Sequence, residues 1–343
     1  MRWKTTSCWL AVTLSIGCSQ PISHGPDSSV GDAALDSSAS DASADALPSL
    51  DAARPSDASP ALDVRDAMTA RCDPAAPFGA PTLVAGVNSG SGDEAASLSA
   101  DERTIWFGSW RAEAVGGDDI YTASRENADA VFGIPVRVDV LSSSYEDGIP
   151  QLSRDGTTMV LTSTRAAPSG GGLYDVWLAV RTSPVSGFEP PSFVASVSTD
   201  GVDGSGTLSE APGDEALYYA QSPLGVVAAD LMRAAGTPDT GFGTPVPLTS
   251  VNSPSNDTDP VLSADALTLF FASERAGGLG ALDVWVATRG NTSESFAGAT
   301  PVTSVNSAQV DRPSWVSPDG CRLYLTSDRT GSAMNDIYVA TRE

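Results

Sequence analysis

Histidine is almost missing from this 343-residue chain: His24 is the only one. Without a second imidazole elsewhere, no Ser-His-Asp triad, Cys-His pair or His-rich metal centre can be assembled in the folded part. Lysine is as scarce. None follows Lys4, all later positive charge is arginine, and 43 acidic against 19 basic residues give a formal charge of -24. Such a surface repels a nucleic-acid backbone, which excludes that class of partner. Long apolar runs are missing too. The one candidate, CWLAVTLSIG at 8–17, is about half the length needed to cross a bilayer. Residues 19–71 hold no Phe, Tyr or Trp and consist mostly of Ala, Asp, Ser and Pro. They cannot bury enough apolar surface to offset their ordering entropy, so a disordered, self-repelling tether is expected there. The glycines at Gly170 to Gly172 and at Gly277 with Gly278 lack the following helix of a dinucleotide loop and the lysine of a P-loop. No cofactor and no metal are expected.

Arg2 and Lys4 precede the short apolar run, the order of a secretory signal over residues 1–18. Cys18 directly after Gly17 resembles the lipobox of bacterial lipoproteins, although Ser15 stands where that motif usually has an aliphatic residue. The resemblance implies a lipid on Cys18 as the only membrane attachment. With Ser19 next in the chain, it implies an outer-membrane lipoprotein on the periplasmic side or the cell surface. Without the lipid, the protein is expected to be periplasmic or secreted.

The folded part, 72–343, is repetitive. A Leu-Ser or Val-Ser pair ends a strand at Leu98, Leu152, Leu208, Leu262 and Val316, and a Phe opens the last segment of each unit at Phe78, Phe132, Phe188, Phe242 and Phe296. Both markers recur about every 54 residues, which is the mark of an internal repeat. Each unit reads as four short strands: one opening on Asp, a turn such as Pro318-Asp319-Gly320, an apolar strand such as TLFFAS, a Gly-rich loop, a third strand such as DVWVAT, and a fourth after the Phe. These are aromatic and β-branched runs without a helical period. Four strands per unit predict a five-bladed β-propeller with units at about 90–143, 144–199, 200–253, 254–307 and 308–343.

The segment 78–89 matches a fourth strand, whereas the chain ends after a third. The N-terminal strand is therefore expected to complete the last blade and close the ring. That closure brings Cys72 and Cys321 to one end of one sheet. In an oxidising compartment they are expected to form a disulfide, stabilising by roughly 4 to 5 kcal/mol on the chain-entropy account.

SPDG at 317–320 followed by RLYLTSDR, together with STRAAPSGGGLYDVW at 163–177 and SERAGGLGALDVW at 273–285, resembles the TolB-type, WD40-like repeat of bacterial envelope proteins. The third unit departs from it, since AQSPLGVVAADLM at 220–232 lacks the Arg and the glycine pair. The resemblance implies a binding or scaffolding role at the envelope, with a protein or a glycan as partner and a monomeric chain. These repeats serve unrelated proteins, so the fold does not name the ligand.

Two sets of charged residues recur. Asp93, Asp147, Asp203, Asp257 and Asp311 open the innermost strands and are expected to ring one mouth of the central channel. Arg111, Arg165, Arg275 and Arg329 sit on loops of the same face. The set reads either as a ligand site at that mouth or as structural pairing, and five-fold repetition favours pairing. The third-strand aspartates Asp119, Asp175, Asp230, Asp283 and Asp336 are read in the same way. A glycosidase needs carboxylates in unlike surroundings, and this ring is regular, with Glu94, Glu146 and Asp259 the variation beside it. The chain is therefore expected to be a non-catalytic binding module, the alternative being a carbohydrate-active enzyme that uses channel-mouth carboxylates.

Overall fold

The computed structural model describes residues 71–168, 171–226, 228–329 and 334–343. The signal segment with Cys18, the tether as far as residue 70 and Gly170 lie outside them. The chain divides into two units, Met1–Ala67 and Met68–Glu343, the second of which holds every described residue.

Among the described residues there is no helix, and the strands form five small antiparallel sheets. Each sheet starts from an innermost strand: Asp93–Leu98, Asp147–Leu152, Val202–Ser209, Asp257–Leu262 and Asp311–Val316. The second strands, such as Thr158–Ser163 and Thr268–Ser273, are buried along nearly their whole length. Each blade face lies against a neighbour, so both sides of these strands need apolar side chains. Fully buried Phe107, Tyr218, Tyr219, Phe271 and Tyr324 fill the layers between blades.

Closure of the ring follows the sequence reading. Thr82–Leu83 pairs antiparallel with Asp336–Thr341, so the N-terminal segment is the outer strand of the last blade. It also supplies an aromatic ring that the other blades provide for themselves. At the end of the third strand an arginine lies over the following Phe in three blades: Arg125 over Phe132 at 4.2 Å, Arg181 over Phe188 at 4.4 Å, and Arg289 over Phe296 at 4.2 Å. In the last blade Arg342 lies over Phe78 at 4.0 Å, across the junction of the two chain ends. The third blade has Gly236 where the others have Arg. There a two-residue strand, Gly241–Phe242, pairs with the end of Asp230–Thr237. That blade consequently carries five strands instead of the four expected; Gly236 and Gly241 both have positive φ, which lets the chain turn back at once.

Two further fastenings join the closing segment to the ring. A disulfide links Cys72 and Cys321. Arg71 bridges Glu102 in the first blade and Asp319 in the last, and Glu102, buried, also meets Arg322 at 2.9 Å and Arg125 at 3.6 Å.

The innermost strands are not regular. Pairing with the second strand slips after Glu94, Gly148, Gly204, Thr258 and Pro313. Four of the bulged residues, Ala95, Ile149, Ser205 and Asp259, have φ between 51° and 54°. Such a conformation costs a non-glycine residue about 1 to 2 kcal/mol. A bulge breaks the two-residue alternation and re-aims side chains, here towards the propeller axis.

Loss of the closing contacts should be measurable. Phe78→Ala is expected to destabilise the protein by about 3 to 5 kcal/mol in chemical denaturation. Alkylation of the unreduced protein should leave Cys72 and Cys321 unmodified in mass spectra; two labelled cysteines would contradict the disulfide.

Candidate functional site

Each ring aspartate of the sequence reading is buried and engaged inside its own blade. Ser109 Oγ and Arg111 Nη2 donate to Asp93 Oδ1, both at 2.6 Å, while the same Nη2 donates to the Val87 carbonyl at 2.8 Å. Arg275 repeats the arrangement with Asp257 at 2.5 Å and the Val251 carbonyl at 2.7 Å, and Arg329 with Asp311 at 2.5 Å and the Val305 carbonyl at 2.7 Å. Arg165 Nε lies 2.9 Å from Asp147 Oδ1, and its Nη2 donates to the Leu141 carbonyl at 2.6 Å. The second oxygen of Asp93, Asp203, Asp257 and Asp311 accepts a backbone N–H from the entering segment at 2.5 to 2.6 Å. The unit therefore ties three pieces of chain together.

In the third blade Gln221 Nε2 donates to Asp203 at 2.8 Å, and Pro223 stands where an arginine would be. Burial there pushes the Asp203 carboxyl upward, since a neutral amide does not balance its charge. Third-strand aspartates hold the Gly-rich loops: Asp119 accepts the Val115 N–H at 2.5 Å and Asp283 the Leu279 N–H at 2.8 Å. Asp175 accepts the Gly172 N–H at 3.2 Å. Asp230 is exposed and Asp336 half-buried.

None of the five ring aspartates lines the axis. The axial cavity is walled by the residues one and two positions further along, and these differ from blade to blade: Glu94, Ala95, Ile149, Ser205, Asp259, Arg312 and Pro313, together with Gln151, Ser314 and Thr326. It has about 20 Å³ of space for water, room for about one molecule. Glu94 accepts a hydrogen bond from Asn335 Nδ2 at 2.8 Å. Asp259 accepts one from Ser205 Oγ at 2.8 Å and faces Arg312 Nε at 3.9 Å. Ser314 Oγ and Arg312 Nε are buried without a hydrogen-bond partner.

At the mouth, the residue before each third-strand aspartate accepts through its carbonyl the N–H of the next blade's ring aspartate, as Asp118 does from Asp147 at 2.9 Å and Asn335 from Asp93 at 2.9 Å. That position holds Asp118, Tyr174, Ala229, Leu282 and Asn335 in turn. The Asp118 carboxyl, 5% exposed, lies over Gly148; a Cβ there would stand 2.0 Å from Oδ2, so the carboxyl takes the space a side chain would fill. Burial pushes Asp118 well above the usual carboxylate range, and the charges of Glu94 and Glu146 add to the shift. Burial also raises Glu94 and Asp259, with Arg312 opposing it in both. Half-buried Glu146 receives the Tyr174 hydroxyl, and its neighbour Tyr145 is 44% exposed. The mouth is thus acidic and aromatic on the side of the first two blades. Of these groups, sequence reasoning singled out Glu94, Glu146 and Asp259 and missed Asp118, Arg312 and Tyr174. Their signal was departure from the repeat at aligned positions. Among the described residues no group of three or more His, Cys, Asp or Glu is placed to hold a metal ion.

No family model matches the chain, and no curated protein matches it. Solved structures do. An endo-arabinase from Bacteroides thetaiotaomicron matches with a TM-score of 0.51 and 13% identity over 76% of this chain and 98% of that one. An α-L-arabinofuranosidase from Podospora anserina, in complex with cellotriose, matches with a TM-score of 0.50 and 10% identity over 79% and 98%. TolB from Acinetobacter baumannii matches with a TM-score of 0.44 and 12% identity over 74% of this chain, which spans 55% of that TolB. The likeness is one of fold.

It corrects one expectation. The chain was read as no enzyme because its aspartate ring is regular, yet glycoside hydrolases recur among the structures of similar fold. The physical reason is that hydrogen bonds tie the regular carboxylates into the blades, whereas the bulges bring irregular ones, in unlike surroundings, to the axis.

A raised carboxyl in the native state has a sign that can be tested. The folded protein holds the Asp118 proton to higher pH than the unfolded chain, so this group's contribution is greatest below the ordinary aspartate range and falls as pH rises towards the folded value. Asp118→Asn removes that loss. The variant should melt above the parent at about pH 7 and lose its advantage near pH 4; a variant melting lower at both would contradict the assignment.

Proposed function

We propose that the protein is an exported, carbohydrate-active propeller that takes a glycan at the acidic mouth of its axis. The observation that carries this reading is a pair of unlike carboxyls side by side. Asp118 is buried and inclined to keep its proton, whereas Glu146 is half-buried and oriented by Tyr174. Hydrolysis of a glycosidic bond needs one group to protonate the leaving oxygen and another to act on the anomeric centre or its water. Asp118 fits the first role and Glu146 the second. Tyr145 offers a partly exposed ring beside them for a sugar face. The axial cavity is too small for a sugar, so the glycan stands at the mouth and Glu94, Asp259 and Arg312 act from below as a fixed charge set.

Cys18 with its lipid would attach the protein to the outer membrane, and the acidic tether would let the propeller reach its substrate. A periplasmic or cell-surface glycan is the ligand this placement favours.

The test is turnover of a broad panel of aryl glycosides and oligosaccharides by the full chain. A hit is expected to lose about 10²- to 10⁴-fold in kcat/KM on Asp118→Asn and on Glu146→Gln, with folding intact. No turnover across the panel, or a hit unaffected by both substitutions, would contradict the reading.

A further inference from the structure

The loops that join second to third strands carry a feature that glycan chemistry does not use. In four successive blades an aliphatic side chain stands out into solvent: Val115 is 60% exposed, Leu173 53%, Leu224 70% with Val226 52%, and Leu279 58%. These loops leave the end of the sheets at which the axial mouth opens. Scattered exposed aliphatics are ordinary on a protein surface, but here they recur on the same loop of successive blades, with Val115, Val226 and Leu279 each four residues before the third-strand aspartate. The backbone is also fixed at four of these five residues. The N–H of Val115 is held by Asp119, that of Leu279 by Asp283, that of Leu173 by the Gly201 carbonyl at 2.8 Å, and that of Val226 by the Pro223 carbonyl at 2.9 Å. An aliphatic tip on a fixed backbone can bury apolar area in a partner at little cost in ordering.

The charge around the tips is mainly acidic, the exception being Arg137, whose Nη1 donates to the Glu113 carbonyl at 3.1 Å and lies 3.7 Å from Asp119. Glu113 and Asp200 are exposed, and Glu274 and Asp328 half-buried, on this face. The four arginines of the same loops, Arg111, Arg165, Arg275 and Arg329, are engaged with ring aspartates and backbone carbonyls. The face therefore presents aliphatic tips in an acidic field.

We propose that this crown docks a protein segment in which Lys or Arg alternates with aliphatic residues, the apolar side chains resting on the loop tips and the basic ones facing the acids between them. An anionic nucleic acid is repelled by the same field, and an acidic protein has nothing to gain from it. The inference stands apart from the glycan reading and uses neither Asp118 nor Tyr174.

The experiment measures fluorescence anisotropy of a labelled synthetic Leu/Lys amphipathic peptide titrated with the full chain at about 0.15 M salt, beside the same peptide with Glu for Lys. The Leu/Lys peptide should bind and the Leu/Glu peptide should not. Combined Val115→Ser, Leu224→Ser and Leu279→Ser should weaken binding about tenfold or more, with an unchanged melting temperature. Ile134→Ser with Val185→Ser, at exposed aliphatics on loops of the opposite end, should leave it unchanged. If both sets have the same effect, or neither has any, the peptide responds to net charge alone and the proposal fails. It also fails if the parent sediments with phosphatidylcholine vesicles and the crown variant does not, because the face would then be a lipid-contacting one.

Discussion

A blade of this kind cannot stand alone, because both faces of its central strands are apolar and each must meet another blade. Everything in the molecule therefore depends on the ring being closed. The chain meets this constraint at the junction of its described ends: Thr82–Leu83 completes the last sheet, Phe78 slides under Arg342, and Arg71 with the Cys72–Cys321 link joins the first blade to the last. Repeating the Arg-over-Phe contact across the junction makes the seam resemble an ordinary blade. Closure then creates an axis, and with it a place where five innermost strands present side chains to one another.

What those strands present is decided by the bulges. Regular alternation would have sent successive side chains to the two faces of each blade, towards its neighbours. Each aspartate is held within its blade, where a serine and an arginine or a glutamine neutralise or solvate it, and the bulge turns one or both of the next two residues inwards. The latch repeats because every blade needs it, whereas the axis does not because nothing structural requires it to. Glu94, Asp259 and Arg312 occupy positions that in other blades hold Gly, Thr, Ala, Ile, Ser or Pro. Asp118 sits over Gly148 for a similar reason: the second blade has no side chain at that point, and a carboxyl fills the gap. Buried acids without a full complement of partners oppose stability, so their presence on the axis calls for a function.

The architecture was legible in the sequence because two independent markers kept one period and because a fourth strand stood at the wrong end of the chain. The extra strand of the third blade was not, since it hangs on the conformation of Gly236 and Gly241 and not on any apolar pattern. The site was half legible. Glu94, Glu146 and Asp259 were visible as departures from the repeat, but the ring aspartates were assigned to the mouth because they open the innermost strands, whereas each is tied into its blade and the bulge after it brings other residues to the axis. Asp118, in a loop, belonged to no strand pattern, and its neighbours Glu94 and Glu146 come from two different blades. Regularity in a repeat protein marks what holds the repeat together; the non-catalytic expectation came from weighing the regular ring and not the irregular residues beside it.

The central claim is that Asp118 is the acid of the axial mouth, and a side-chain carbon NMR titration of its carboxyl tests this most directly. The account predicts that Asp118 keeps its proton well after the exposed aspartates have ionised, and that Glu146→Gln shifts its titration downward by removing a like charge. An Asp118 that ionises with the exposed aspartates near pH 4 would contradict it.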